Sequence, residues 1–291
     1  MGSKTCLYYI TFQCNDMCEF CQVWNDKELQ AIEDTSIEKH IENLKSAKSL
    51  GVKTLEVTGG EPLLYEKLPE FLTEAKRIGF KIDLYTNGIL YPERAKSISG
   101  LADKIYFSLD YPIRDDHDRS RGLTCFSSVL ASINLAKELK EKPAVLYTVT
   151  RDSIRFLPEM IEIAEKMKVE VYLNPVYDFH GLHGFEKESL DYIKYYFNRQ
   201  RVRVNLAALE FIKNGGNNTV WPRCRVRSTT VTYLPDGNRA APCLYNRGGE
   251  EGKSAECIGC TRWPYMLPSF SIGFDKYRVL YEWSKHKEAQ S

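Results

Sequence analysis

The sequence lacks a membrane-spanning element, since no stretch approaches the ~20 consecutive apolar residues that a bilayer requires. It also lacks a secretory signal: the run from Met1 to Ile10 carries one lysine and too short an apolar core. No charge of one sign dominates, because 40 Lys and Arg stand against 39 Asp and Glu for a formal charge of +1. That balance excludes recruitment of nucleic acid or a membrane surface by bulk charge. Repeats, low-complexity segments and long linkers are missing too. These absences imply a cytoplasmic protein that recognises its partner locally. Cysteine, by contrast, is abundant: nine residues, an odd count, gathered into tight groups such as Cys14, Cys18, Cys21 and Cys257, Cys260. In a reducing compartment such grouping points to metal rather than to a disulfide framework.

Length permits a large core. Six β-rich runs (Thr5–Phe12, Thr54–Thr58, Lys81–Thr86, Lys104–Leu109, Ala144–Thr150 and Glu170–Asn174) alternate with amphipathic ones, including Ser36–Leu50, where Ile37, Ile41, Leu44 and Leu50 share a face, and Ser127–Leu139. This is the rhythm of repeated βα units around a parallel sheet, an α/β fold. Such sheets carry function at the carboxyl ends of their strands. Cys14, Gly59-Gly60-Glu61-Pro62, Thr86-Asn87-Gly88 and Asp110 follow strands one to four. After Asn198 the rhythm breaks. A run at Arg201–Leu206, a short helix to Lys213, a Gly-Gly-Asn-Asn turn and a hairpin over Val231–Pro242 suggest a second, smaller domain, closed by a helix over Lys276–Lys287. The expected division is 1–200 and 201–291.

Cys14, Cys18 and Cys21 place three thiols within eight residues on a loop leaving a buried strand. A four-iron cubane takes four ligands, so three thiolates leave one iron open to a further ligand. Zinc is the alternative, although neither Cys6 nor a nearby histidine supplies an obvious fourth ligand for tetrahedral closure.

The C-x₃-C-x-aromatic-C motif followed by Gly59-Gly60-Glu61-Pro62 resembles the radical S-adenosylmethionine (SAM) superfamily over about residues 5–200. The resemblance implies a partial (β/α)₆ TIM-like barrel, with Cys14, Cys18 and Cys21 binding a [4Fe–4S] cluster whose open iron takes the amino and carboxylate groups of SAM. It further implies that Phe20 lies against the adenine and that Glu61 approaches the methionine ammonium. Gly59 and Gly60 would let backbone pass close to ligand, and Asn87, Ser108, Asp110 and Thr148 are carried as further SAM contacts, with Thr86 beside them.

Cys224, Cys243, Cys257 and Cys260 supply four thiols, enough to close a site. Cys224-x₁₂-Gly237-x₅-Cys243 followed by C-x₂-C is similar to the twitch form of the SPASM appendage, which implies an auxiliary [4Fe–4S] cluster. The Gly-to-Cys gap is one residue longer than usual, and a zinc-ribbon-like Cys₄ site stays open. Cys6 and Cys125 read as buried structural thiols.

Two segments are candidates for the substrate wall. One is a densely charged loop after the fourth strand, containing Arg114, His117, Asp118, Arg119 and Arg121. The other follows the sixth strand and brings Asp178, His180 and His183 to one rim. Arg223, Arg225 and Arg227, flanking Cys224, face either an anionic substrate or solvent. The expected chemistry is reductive cleavage of SAM to a 5′-deoxyadenosyl radical, with electrons from a donor such as flavodoxin or ferredoxin, acting on a small metabolite or lipid precursor. With no room for a leader-binding domain before residue 5, a peptide-maturing activity is the second choice. A non-catalytic iron–sulfur or zinc protein is the third.

Overall fold

The computed structural model describes residues 4–177 and 185–290. Its strands are β1 (Lys4–Thr11), β2 (Val52–Gly59), β3 (Lys81–Thr86), β4 (Lys104–Ser108), β5 (Pro143–Val149), β6 (Glu170–Pro175), β7 (Val202–Arg203) and β8 (Thr230–Tyr233). The longer helices are α1 (Ile37–Ser49), α2 (Leu68–Ile78), α3 (Tyr91–Ile98), α4 (Arg114–Arg121), α5 (Phe126–Glu138), α6 (Leu157–Met167), α7 (Lys187–Tyr195), α8 (Leu206–Lys213) and α9 (Lys276–Ala289). The fold is α/β, and the strand–helix alternation expected of a partial (β/α)₆ barrel runs from β1 through β6. No helix among the described residues is long and apolar enough to cross a membrane.

The chain gathers into two compact units. One comprises 4–146 and Val231–Ala240; the other comprises Tyr147–Thr230 and the chain from Ala241 onward. This partition cuts across the expected boundary at residue 200. It falls within β5 and assigns the hairpin to the first unit.

In the first unit β1 to β4 pair in parallel in sequence order, and Pro143–Leu146 of β5 continues along β4. The outer edge of β1 is taken by β8. The hairpin that follows is closed by Leu234 N–H donating to Asn238 O (2.9 Å) and Ala240 N–H to Thr232 O (2.9 Å). One face of these parallel strands forms the core: the fully buried Tyr8, Ile10, Leu55, Val57, Ile82, Leu84 and Phe107 fall on the same side, as the register and the two-residue alternation of side chains place them. Ser36 caps α1 by accepting from Lys39 N–H. The buried face of α1 is Ile37, His40, Asn43, Leu44 and Ala47, with Ile41 only half-buried. The face is therefore rotated from the purely apolar one expected, because partners await the polar residues. The Tyr8 hydroxyl lies 2.8 Å from His40 Nδ1, and Asn43 Nδ2 donates to Gly237 O at 2.8 Å. The charged stretch Arg114–Arg121, expected as a loop, is the helix α4, ended by Gly122 at φ +68°.

In the second unit β6 pairs with β7 in parallel, and Arg203 is salt-bridged to Glu170 at 2.5 Å. Within the run Arg201–Leu206 only Val202–Arg203 is strand, and Asn205 caps α8 by accepting from Ala208 N–H. Helix α9 meets α8 through Ser284 Oγ, which accepts from Leu206 N–H at 3.0 Å. Trp263 Nε1 donates to Pro175 O at 2.9 Å.

Candidate metal and cofactor sites

The cysteine loop leaves β1 at its carboxyl end and is held from two sides. Asn87, just past β3, donates through Nδ2 to Asn15 Oδ1 at 2.7 Å. The last turn of α4 pairs with the loop backbone: Met17 N–H donates to Arg121 O (3.1 Å) and Glu19 N–H to Ser120 O (3.0 Å). Cys18 is buried; Cys14 and Cys21 are half-buried. Burial pushes the Cys14 thiol up to about 12 and raises Cys18 and Cys21 as well. Bare thiolates are thus disfavoured here, and ligation by a cationic group is what would make them anionic. Three sulfurs form a donor set that suits an iron–sulfur cluster.

Glu61 is 1% exposed, at the end of β2. Its carboxylate accepts from Leu63 N–H (3.0 Å), Thr86 Oγ1 (2.8 Å) and Asn87 N–H (2.7 Å). Burial nevertheless raises it to about 7, against those hydrogen bonds. A Cβ at Gly59 would collide with the Thr11 carbonyl, and one at Gly60 with the Gln13 carbonyl. Both glycines are therefore required by close approach to the backbone that enters the cysteine loop. Thr86 and Asn87 are buried and belong to the Glu61 network.

Asp110, wholly buried, is ion-paired to Arg121 Nη2, and its backbone N–H donates to His117 Nδ1 at 3.2 Å. Arg121 is 6% exposed. Its Nη1 reaches Asp16 Oδ2 (3.3 Å) and Cys18 Sγ (3.4 Å), and its guanidinium lies 5.8 Å from the centre of the Phe20 ring. The substrate candidate Arg121 is thus committed to the cysteine loop. Ser108 is half-buried at the end of β4. Thr148 falls in the second unit, its carbonyl accepting from Ser153 Oγ at 3.4 Å. Asp178, His180 and His183 lie outside the described residues. Cys6 and Cys125 are both buried.

In the second unit Cys224, Cys243, Cys257 and Cys260 line one cavity together with Asn217 and Arg262. Burial pushes Cys224 up to about 12 and raises Cys243 and Cys260, with the Arg262 guanidinium opposing it at the latter two. Four thiols lining one pocket form a donor set that suits an iron–sulfur cluster. Among the described residues no group of three or more His, Cys, Asp or Glu is drawn together as for a single ion. Asn217 organises the site. Its Nδ2 donates to Gly252 O (2.8 Å) and Cys257 O (3.1 Å), and its Oδ1 accepts from Arg223 N–H (3.1 Å) and Cys224 N–H (3.4 Å). Arg223 is salt-bridged to Asp275 (3.2 Å), while Arg225 and Arg227 donate to the carbonyls of Pro222 and Gly249. These arginines hold local structure.

Asn15, Asp16, Asn217 and Arg262 did not emerge from the sequence as site residues. The one signal available was position: Asp16 and Asn15 sit inside the cysteine motif, and Asn217 in an asparagine-rich turn ahead of Cys224.

Residues 8–151, about half the chain, match the family described as the Radical SAM superfamily. The chain belongs to that superfamily. It is 29% identical over 178 residues to a probable GTP 3′,8-cyclase of Sulfolobus acidocaldarius, covering 57% of this chain and 55% of that protein. It is 26% identical over 272 residues to the GTP 3′,8-cyclase of Helicobacter pylori, covering 84% and 82%. The chain thus spans about half the length of the first relative and most of the second. In fold it is similar to anSMEcpe with bound AdoMet, at a TM-score of 0.66 and 17% identity, over 99% of this chain and 97% of that one.

Proposed function

We propose that this protein is a radical SAM enzyme acting on a small molecule. The observation that carries the reading is the convergence on one loop. Cys14, Cys18 and Cys21 leave β1 beside the buried Glu61 just past β2, the Thr86-Asn87 end of β3 and the Arg121–Asp110 pair past the end of β4. Cys14, Cys18 and Cys21 would hold a [4Fe–4S] cluster, and that cluster would supply the electron for reductive cleavage of SAM to methionine and a 5′-deoxyadenosyl radical. The chain's own contribution is orientation and exclusion of water. Glu61, fixed by three donors, presents a carboxylate suited to a substrate ammonium, and Phe20 offers an aromatic face to a purine. Ser108 and Asn87 supply polar groups at the same strand ends.

Cys224, Cys243, Cys257 and Cys260 hold an auxiliary [4Fe–4S] cluster in a twitch-like segment within 201–291, whose hairpin Val231–Ala240 belongs to the unit that carries Cys14, Cys18 and Cys21. Small-molecule chemistry is supported by the two GTP 3′,8-cyclases, one of them alignable over 84% of this chain. The electron donor is a flavodoxin- or ferredoxin-class protein.

The test is iron and sulfide per chain after anaerobic reconstitution, with 5′-deoxyadenosine formation under reductant, for wild type and the Cys14/Cys18/Cys21→Ala variant. About eight irons should fall to about four, with deoxyadenosine abolished. About four irons plus one zinc in wild type would overturn the auxiliary-cluster assignment. Iron unchanged by the triple substitution would overturn the SAM-cluster assignment.

A further inference from the structure

A buried arginine must be paired, and what it pairs with states what it is for. Arg121 closes α4 at the point where the helix touches the cysteine loop. Its backbone carbonyl accepts from Met17 N–H, and the neighbouring Ser120 carbonyl accepts from Glu19 N–H. Ser120 Oγ also donates to Glu19 Oε1 at 3.0 Å. The two backbone bonds straddle Cys18, which fixes that residue's backbone against the helix end. The left-handed Gly122 makes the approach possible, because a Cβ there would lie 3.2 Å from both Cβ and O of Met17.

The side chain then turns inward. One arm spans Asp16 Oδ2 and Cys18 Sγ; the other is paired to Asp110, itself fixed through its backbone by His117. A single guanidinium thus joins the loop interior to the end of β4, with a sulfur of the metal-binding set among its acceptors. Two carboxylates and a sulfur share this one cation.

We infer that Arg121 is a positioning residue for the first cluster, fixing the Cys14–Cys21 loop to β4 and setting the electron affinity of the group held by Cys18; this rests on the assignment of a [4Fe–4S] cluster to Cys14, Cys18 and Cys21. The physical basis is direct. A hydrogen bond and a full positive charge at a thiolate withdraw electron density from sulfur, favouring the reduced, more negative state of the attached cluster. In a buried site that charge is little screened. Asp16, at the same guanidinium, works in the opposite sense.

The experiment is a midpoint-potential titration on the reconstituted holoenzyme, following the cluster whose electron paramagnetic resonance signal changes on adding SAM. Hydrogen exchange over residues 15–21 and the SAM dissociation constant are measured alongside. Arg121→Gln should shift the potential negative and raise exchange in the loop, while Arg121→Lys, which keeps the charge, should fall between it and wild type. Asp16→Asn should shift the potential positive. Opposite shifts from two substitutions that both loosen the loop separate a charge effect from simple disruption, and Asp16→Asn alone decides the matter if Arg121→Gln fails to fold. A wild-type potential in either Arg121→Gln or Asp16→Asn, or a change confined to the SAM dissociation constant, would overturn the inference. Failure of the parent reading is seen separately, as wild-type iron that does not depend on Cys14, Cys18 and Cys21.

Discussion

Replacing Asn217 by alanine tests whether the second thiol cavity is shaped by one side chain. Asn217 is 3% exposed, and its amide ties three chain segments together. Its loss leaves the carbonyls of Gly252 and Cys257 without their donor, and the amides of Arg223 and Cys224 without their acceptor. A buried polar group left unsatisfied costs about 1–3 kcal/mol. Two carbonyls and the closer of the two amides, eased by relaxation and entering water, give a penalty of about 3 kcal/mol. For a protein of this size that is a fall in melting temperature of roughly 5 °C. Differential scanning calorimetry of the iron-loaded protein, with iron counted per chain, measures both stability and metal retention. The control is the neighbouring, exposed Asn218, whose Oδ1 accepts only from the local Val220 and Trp221 amides; Asn218→Ala should lose well under ~1 kcal/mol. Equal melting temperatures and equal iron in the two variants would refute the reasoning.

Two further outcomes are expected. Gly122→Ala forces a side chain into left-handed backbone at φ +68° and against Met17, so it should cost about 2 kcal/mol in urea unfolding and increase hydrogen exchange at Met17 and Glu19; unchanged exchange would mean the helix end does not brace the loop. His117, held down to about 4 by burial and then by Arg121, is neutral in the native state and takes up a proton only on unfolding between pH 6.5 and 4. Stability from this group therefore rises with pH across that window, and the stability difference between pH 5.5 and 7.5 should shrink by about 1.4 kcal/mol in His117→Gln. An unchanged difference would show that the imidazole is already charged when folded.

The elements of the barrel were legible because each rests on local pattern. Lys81–Thr86 is the strand expected of that β-rich run, and α1 starts at the Ser36 cap and ends within a residue of the expected position. The cysteines and Glu61 were legible because their spacing carries chemistry. Burial of polar residues was less so. His40 and Asn43 look like a solvated face until Tyr8 and Gly237 O are known to meet them, and Gly237 lies 194 residues from Asn43. Arg121 was visible as a charge but not as a buried one, since its partners Asp16 and Asp110 come from separate strand ends. Its α4 has almost no apolar periodicity to announce a helix, being Arg-Asp-Asp-His-Asp-Arg-Ser-Arg. Partnerships across long sequence distances decide these sites, and they come into being only with the tertiary structure.

The hairpin after β8 has a consequence for how such a protein is inherited. The chain carries Cys224, crosses to supply an edge strand to β1, and returns to carry Cys243. The segment bearing the four later thiols is therefore not a detachable cassette. A cut at residue 200 would strip the cover from β1 and leave an open strand edge prone to pairing with another chain. Gene fusion or truncation near that point meets a topological obstacle.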